Sequence, residues 1–505
     1  MSGGGEEDSG PDLAAGIPAA DVAEGAMLAG HVGDDTVLVA RVGGELFAIG
    51  AHCTHYHGPL ADGLIVGHAV RCPWHHAHFC LRTGEALAAP AIDPVGHWTV
   101  EERDGTIVVR ARADAPAKPK RAGGPRRVVI AGGGAAGYAA AEMLRREGFD
   151  GGVTMVSADA AAPYDRPNCS KDYLAGSAPA EWMPLRDDAW YADHDIDLRL
   201  GAEITSLDPG AKTVELGSGG ELAYDALLLA LGGEPRPLPI PGFDRAEVFT
   251  LRSLADADAI IRAAEGAKRV AVVGASFIAL EVAAALRRRG IEVHVAAPEA
   301  IPLSRVLGDE LGGWVRGLHE ENGVVFHLGR KIEGWDGARL ALDDGVVEAD
   351  FVVAGTGVAP RTGLAAAARL TVENGVVVDR TLKTSAPGVY AAGDLARFPD
   401  AHTGELIRVE HWVHAERQGQ HVARSIMGDT APFDDTPFFW SVHYGATINY
   451  VGHAEGFDAV TIDGSLAGQD AAARFMKSGK LLAVATVGRD VESLRAGVAF
   501  EREPA

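Results

Sequence analysis

Residues Arg126 to Gly137 read RRVVIAGGGAAG: two charges, an apolar run, and glycines at 132, 134 and 137 ahead of a helical pattern from Tyr138 to Glu147. A short apolar run bounded by glycine reads as a strand, and the alanine-rich stretch behind it carries a helical period. Strand, tight turn and helix in this order, with Gly132-x-Gly134-x-x-Gly137 as the turn, mark a dinucleotide-binding βαβ unit. The first glycine permits the turn, the second lets backbone approach a pyrophosphate, and the third packs helix on strand, while the helix N-terminus attracts the anion. Asp159 stands 22 residues beyond Gly137, at the end of VTMVSAD, where a carboxylate would accept ribose hydroxyls.

Downstream the same grammar returns. Lys268 to Val273 (KRVAVV) leads into Gly274-Ala275-Ser276-Phe277-Ile278-Ala279 and a helix to Arg289. Each half later carries a strand-to-glycine segment, ALLLALGG near residue 230 and FVVAGTG near residue 355. Ser276 replaces the middle glycine, although its hydroxyl could donate to a phosphate, and Ala279 is tolerated at the third position. The acid expected after the second strand is missing, since VHVAA ends in Ala297 and Glu299 comes two residues later. No arginine stands beside it to take a 2′-phosphate, which favours NADH over NADPH.

Upstream, Ala113 to Pro125 (ADAPAKPKRAGGP) has linker composition and would reach at most ~45 Å. Residues 13–112 carry short β-type runs (TVLVARV, ELFAIG, HWTVEE, TIVVRAR) without helical period, so an all-β domain is expected there. Residues 1–12 read as a disordered acidic tail without a secretory signal. From 428 to 505, aromatic strands followed by a short helical stretch predict a separate α+β module.

Composition narrows the function. The 505 residues hold 46 Lys+Arg and 70 Asp+Glu, a net charge of −24, which disfavours nucleic acid and anionic membrane surfaces as partners. No apolar run approaches the ~20 residues of a membrane span, so a cytoplasmic location is expected. Four cysteines make no disulfide framework, and any chemistry they do must come from position.

Two of them sit in Cys53-Thr54-His55 and Cys72-Pro73-Trp74-His75, separated by sixteen residues. Two thiolates and two imidazoles suit a tetrahedral zinc site, or a [2Fe–2S] centre in which Cys holds one iron and His the other. Each clip pairs one Cys with one His, whereas structural zinc clips often pair two sulfurs. Five more histidines (His52, His57, His68, His76, His78) crowd the region and read as solvated loop residues, and Cys80 reads as an inert strand thiol.

The surroundings, CTHYHGPLADG, CPWHHAHFCLRTGEAL and a proline loop at Pro90 to Pro94, closely resemble the Rieske ferredoxin family. That resemblance implies a [2Fe–2S] cluster with Cys53 and Cys72 on the buried iron and His55 and His75 on the outer one. Gly58 and Trp74 occupy the places where respiratory Rieske proteins carry a disulfide, and no serine follows His75. Fewer hydrogen bonds to sulfur predict a midpoint at the low end of the Rieske range, about −150 mV.

Three further segments, PYDRPNCSK, GVYAAGD and RVEHWVHAERQG, make the chain from Arg126 onward resemble the two-dinucleotide-domain flavoprotein reductases of the ferredoxin-reductase and apoptosis-inducing-factor-like family. The resemblance implies an FAD domain over 126–248 and 373–427 and an NAD(P) domain over 249–372. It implies that Asp394 holds the ribityl chain, that Arg166 and Arg236 touch FAD, that Lys171 pairs with Glu281 beside the flavin, and that Trp412 flanks the ring. A solvated ion pair and a plain core tryptophan would look the same in sequence.

The expected fold is therefore multidomain: an all-β Rieske domain, two Rossmann-like α/β domains and a C-terminal α+β domain. The expected function is electron transfer from NAD(P)H through FAD and the cluster to an oxygenase, ferredoxin or cytochrome, by a monomer or homodimer. Two alternatives differ in chemistry. Cys169, near a helix N-terminus and Lys171, would serve an NADH peroxidase or disulfide reductase if its pKa were lowered. A redox sensor of the apoptosis-inducing-factor type would turn over slowly and act through assembly.

Overall fold

The computed structural model describes residues 10–114 and 124–502. Most of the expected tail at 1–12 and of the expected linker at 113–125 therefore lies outside the described residues. Contacts divide the chain into two units: the N-terminal β region together with the last helix, Asp490–Arg502, and the remainder up to Arg489.

The first unit is built on a six-stranded antiparallel sheet in the order Ile17–Pro18, Thr106–Ala113, His97–Arg103, Glu45–Gly50, Asp35–Val42, Met27–Val32. In the strand Asp35–Val42 the residues Val37 to Ala40 are all fully buried, because both faces of the sheet are covered. Val37 and Val39 enter one core with Leu13, Trp98 and Ile107, whereas Leu38 and Ala40 enter a second with Ile49, Cys53, Cys72 and Phe79. The alternation of strand side chains thus splits one apolar run between two cores. Four short strands, Leu64–Val66, Ala69–Arg71, His78–Cys80 and Ala86–Ala88, form a second sheet, and the Cys72–His75 loop lies between its second and third strands.

In the second unit, Arg127–Ala131 is the central strand of a parallel sheet ordered Ile196–Arg199, Gly152–Val156, Arg127–Ala131, Ala226–Leu229, Val389–Ala391. A second parallel sheet centres on Arg269–Val273, between Glu292–Ala297 and Phe351–Ala354. In both, the glycine turn leaves the carboxyl end of the strand at which the order reverses, the crevice where open α/β sheets bind ligands. The chain returns to the first sheet through Val389–Ala391 and continues into helix Trp412–Ile426, which lies against helix Ala135–Arg146. At the crossing, a Cβ on Gly419 would stand 2.1 Å from the Ala136 carbonyl oxygen. A five-stranded antiparallel sheet between Phe438 and Val487 completes the unit. The helix that follows it, Asp490–Arg502, belongs to the first unit and buries Ser493, Leu494, Gly497, Val498 and Phe500.

Among the described residues, no helix is long and apolar enough to cross a membrane.

Candidate functional site

The two cysteine–histidine loops are built alike. The amide of Cys53 donates to the Gly58 carbonyl at 2.9 Å, and that of Cys72 to the Ala77 carbonyl at 2.8 Å. Four residues after each cysteine, His57 and His76 are left-handed at φ 60° and 58°, and each returns its amide to the cysteine carbonyl, at 2.9 and 3.2 Å. The sulfurs are buried and share a hydrogen bond, which pushes the Cys53 thiol up and the Cys72 thiol down. The imidazoles of His55 and His75 meet edge to face, with Nδ1 atoms 3.2 Å apart. Two nitrogen ligands at ~2.1 Å on one tetrahedral ion stand roughly 3.4 Å apart, so this spacing suits a shared metal. Burial lowers the His55 pKa to about 4, keeping the imidazole in the neutral form a metal accepts.

Among the described residues, no three or more His, Cys, Asp or Glu side chains are drawn into a single cluster that could hold a metal ion. The donors form a sulfur pair and a nitrogen pair, which fits a two-iron cluster with segregated ligands. At the position of the missing disulfide, Gly58 faces Trp74: a Cβ on the glycine would stand 3.1 Å from the indole and 2.8 Å from the Cys72 sulfur. Thr54 Oγ1 donates to the Asp93 carbonyl at 2.7 Å, tying the first loop to the proline loop. His57 and His68 are exposed, as expected of solvated histidines, but His76 is buried. Tyr56, stacked 4.0 Å from His55, and Trp74 beside His75 are exposed aromatics flanking the imidazole edge.

The first glycine turn has the shape expected of a pyrophosphate cradle. A Cβ at Gly132 (φ 117°) would stand 2.2 Å from the Ala230 oxygen, and one at Gly137 would stand 1.9 Å from the Gly132 oxygen. At Gly134 the nearest atom would be an Arg166 nitrogen at 3.9 Å, so this position opens onto free space and a cation. Arg166 is braced by the Arg252 carbonyl at 2.9 Å. Asp159 accepts from the Tyr164 hydroxyl at 2.8 Å and the Ala161 amide at 3.2 Å, partners that sequence did not suggest. Arg236 donates to the Val358 carbonyl at 2.9 Å.

Asp394, nearly buried on a short 3-10 turn, accepts from Arg252 at 2.5 Å. On Arg252 and Arg408, which both bond Asp394, and on the segment His411–Glu416, the buried atoms Arg252 Nε, Arg408 Nε, His411 Nδ1, His414 Nδ1 and Glu416 Oε2 have no hydrogen-bond partner. A set of orphaned polar atoms beside an open glycine turn fits a large polar cofactor such as FAD. Trp412 is half-buried, and it hydrogen-bonds the Glu416 carboxyl, whose burial raises its pKa well above the usual range.

Lys171 and Glu281 are brought together at 2.8 Å. They are no solvated pair, because Glu281 is buried and its two oxygens also accept from Ser170 and Ser441, each at 2.6 Å. Ser441 lies 3.0 Å from His443, and His443 lies 3.1 Å from His319, so a buried chain of polar groups runs away from the pair. Lys171 stands 5.9 Å above the Trp440 ring. Cys169 packs in a cluster with Tyr164, Leu174 and Met183, and burial pushes its thiol up to about 12, which favours the thiol over the thiolate that the peroxidase or disulfide-reductase alternative needs.

At the second turn, Gly274 (φ 105°) closes on the Gly355 oxygen as Gly132 does on Ala230. Ser276 caps the helix and donates to the Gly355 carbonyl at 2.8 Å, so its hydroxyl is turned inward and leaves the phosphate position clear. Ala279 is buried in the first turn of that helix, and Glu299 is exposed beyond the strand Glu292–Ala297.

Residues 126–419 match the family model for pyridine nucleotide-disulphide oxidoreductases. The chain belongs to that family. Residues 15–99 match the Rieske [2Fe-2S] domain, and residues 438–502 match the reductase C-terminal domain. As a family member carrying a Rieske domain, it uses FAD, NAD(P)H and a [2Fe–2S] cluster, and it is an electron-transfer flavoprotein. It is 32% identical to apoptosis-inducing factor 3 of Homo sapiens over 492 residues, covering 93% of this chain and 81% of that protein. It is 34% identical to the ferredoxin–NAD(+) reductase component of the anthranilate 1,2-dioxygenase system of Burkholderia cepacia, covering 73% of this chain and 94% of that one. Among solved structures, the covalent putidaredoxin reductase–putidaredoxin complex matches with a TM-score of 0.72 and 34% identity, over 75% of this chain and 93% of that one.

Proposed function

We propose that this flavoprotein is a ferredoxin-reductase-type enzyme with its own iron–sulfur outlet, in which NADH is oxidised and electrons leave singly through the Rieske centre to a separate protein acceptor. When bound, FAD supplies the conversion between a hydride and single electrons, and the [2Fe–2S] cluster accepts those electrons one at a time.

This chain's residues prepare the sites. Gly132, Gly134 and Gly137 hold the FAD turn open with Arg166 beside it, and Asp394, oriented by Arg252, is placed for the ribityl hydroxyls. Lys171, fixed by Glu281, presents an ammonium on the flavin side. Gly274, Ser276 and Ala279 form the nucleotide turn, with Glu299 placed for the ribose of NADH. Cys53 and Cys72 would hold one iron of the cluster, and His55 and His75 the other. Tyr56 and Trp74 beside those imidazoles offer an apolar contact for the acceptor, a ferredoxin, cytochrome or oxygenase.

The observation that carries the reading is the pairing of donors, nitrogen with nitrogen and sulfur with sulfur, on a chain that also holds two nucleotide folds. Anaerobic stopped-flow spectroscopy with NADH tests it: flavin absorbance falls first and cluster absorbance follows. A cluster that stays oxidised under excess NADH would sink the proposal.

A further inference from the structure

The last helix, Asp490–Arg502, holds the second cysteine–histidine loop at both ends. Arg71, immediately before Cys72, is buried and donates through Nη1 and Nη2 to the two carboxylate oxygens of Glu501, at 2.8 and 2.6 Å. His76, immediately after His75, is also buried, and its Nε2 lies 3.2 Å from the hydroxyl of the fully buried Ser493. Ser493 and Glu501 are eight residues apart, about 12 Å along the helix, a span that brackets the loop. The helix is seated by Leu494, Val498 and Phe500 and runs beside the strand Leu64–Val66.

Both contacts act where the loop needs support. His76 holds a left-handed conformation that disfavours residues with a Cβ, and its amide closes the turn onto the Cys72 carbonyl at 3.2 Å. A side-chain bond that fixes the His76 ring selects that conformation over the alternatives. A two-pronged arginine–carboxylate pair fixes direction as well as distance, so Glu501 sets the strand end from which Cys72 departs.

We propose that this helix, although it matches the reductase C-terminal domain, is a positioning element of the iron–sulfur centre, with Ser493 and Glu501 as the positioning residues. The inference rests on the cluster reading of Cys53, His55, Cys72 and His75. It predicts that the C-terminal end of the chain governs how firmly the cluster is held and what its spectrum looks like, while flavin chemistry is untouched.

The test uses the full-length enzyme loaded with FAD and cluster, as wild type, Ser493→Ala, Glu501→Gln, Arg71→Glu and the exchanged pair Arg71→Glu/Glu501→Arg. Readouts are the electron paramagnetic resonance spectrum of the reduced cluster, its rate of loss to a chelator, hydrogen exchange at the Cys72 and His76 amides, and flavin reduction by NADH. Losing one charge-assisted partner should speed cluster loss by about tenfold in Glu501→Gln. Ser493→Ala should shift the resonance spectrum and quicken exchange at His76, and the exchanged pair should recover much of what Arg71→Glu loses. Flavin reduction should stay at the wild-type rate in all four variants. Wild-type spectra and cluster-loss rates in Ser493→Ala and Glu501→Gln would overturn the proposal. A wild-type protein without a Rieske signal would overturn the cluster reading itself, and the proposal with it.

Discussion

Replacing Lys171 by Met asks whether the Lys171–Glu281 pair is a built feature of the flavin side or an incidental contact. Glu281 is 6% exposed and keeps two serine donors at 2.6 Å after the change, but loses its cationic partner at 2.8 Å. Breaking a buried ion pair by removing one partner costs ~3–5 kcal/mol. Because the two hydroxyls still satisfy the carboxylate, the loss should fall to that of a single charged hydrogen bond, ~1.5–3 kcal/mol. In Glu281→Gln the cost should be smaller, about 1 kcal/mol, because the lysine side chain is 18% exposed and its ammonium can turn to water. The double variant should then be less destabilised than the sum of the single ones by ~1.5 kcal/mol. Urea unfolding followed by flavin fluorescence gives these energies, and anaerobic stopped-flow reduction by NADH gives the kinetic counterpart, expected to slow by at least about tenfold in Lys171→Met. A Lys171→Met variant within ~0.5 kcal/mol of wild type, with additive single changes, is the behaviour of an exposed pair and would refute the reasoning.

The glycine turn makes a paired prediction. Gly134→Ala should fold normally, because its Cβ meets nothing closer than 3.9 Å, yet bind FAD at least about tenfold more weakly; Gly137→Ala, at 1.9 Å from backbone, should lower the yield of folded protein. Normal FAD affinity in Gly134→Ala would remove the cradle. Glu416 has a raised pKa, so it retains its proton in the folded chain after the unfolded one has lost it, and its stabilising contribution is present below pH ~4.5 and lost as pH rises toward the folded value. Glu416→Gln should therefore gain melting temperature relative to wild type at pH 8 more than at pH 5, and an equal change at both would contradict this. A redox titration of the cluster should give a midpoint of about −150 mV, and a value far above zero would count against it. With a net charge of −24, electron transfer to a basic acceptor should slow with added salt, measured as the reduction rate of a cationic cytochrome, and a rate indifferent to salt speaks against electrostatic docking.

Much of this molecule is written locally. Gly132, Gly134 and Gly137 were legible because a strand-to-helix turn needs small residues at fixed offsets, and those offsets lie within six residues. The clips Cys53–His55 and Cys72–His75 were legible for the same reason, since metal ligation imposes short spacings on chemically rare residues. The partners that make these groups work were not legible. Arg252 reaches Asp394 across 142 residues, and Ser441 reaches Glu281 across 160, and a common serine or arginine carries no local mark of such a role. Cys169 shows how burial outweighs sequence neighbours: Lys171 and a nearby helix N-terminus would favour a thiolate, and the core that surrounds the thiol pushes its pKa up.

Sequence alone thus determined the classes of fold present, a β-rich Rieske region and α/β dinucleotide-binding regions, and it marked the two glycine turns and the cysteine–histidine clips, because each depends on short-range geometry and residue chemistry. Only the tertiary structure decided that the imidazoles pair with each other and the thiols with each other, that Lys171 faces a buried carboxylate, and that the final helix bonds residues on both sides of the second cysteine–histidine loop. Those facts depend on which surfaces the folded chain buries together, and burial is set by the packing of distant segments.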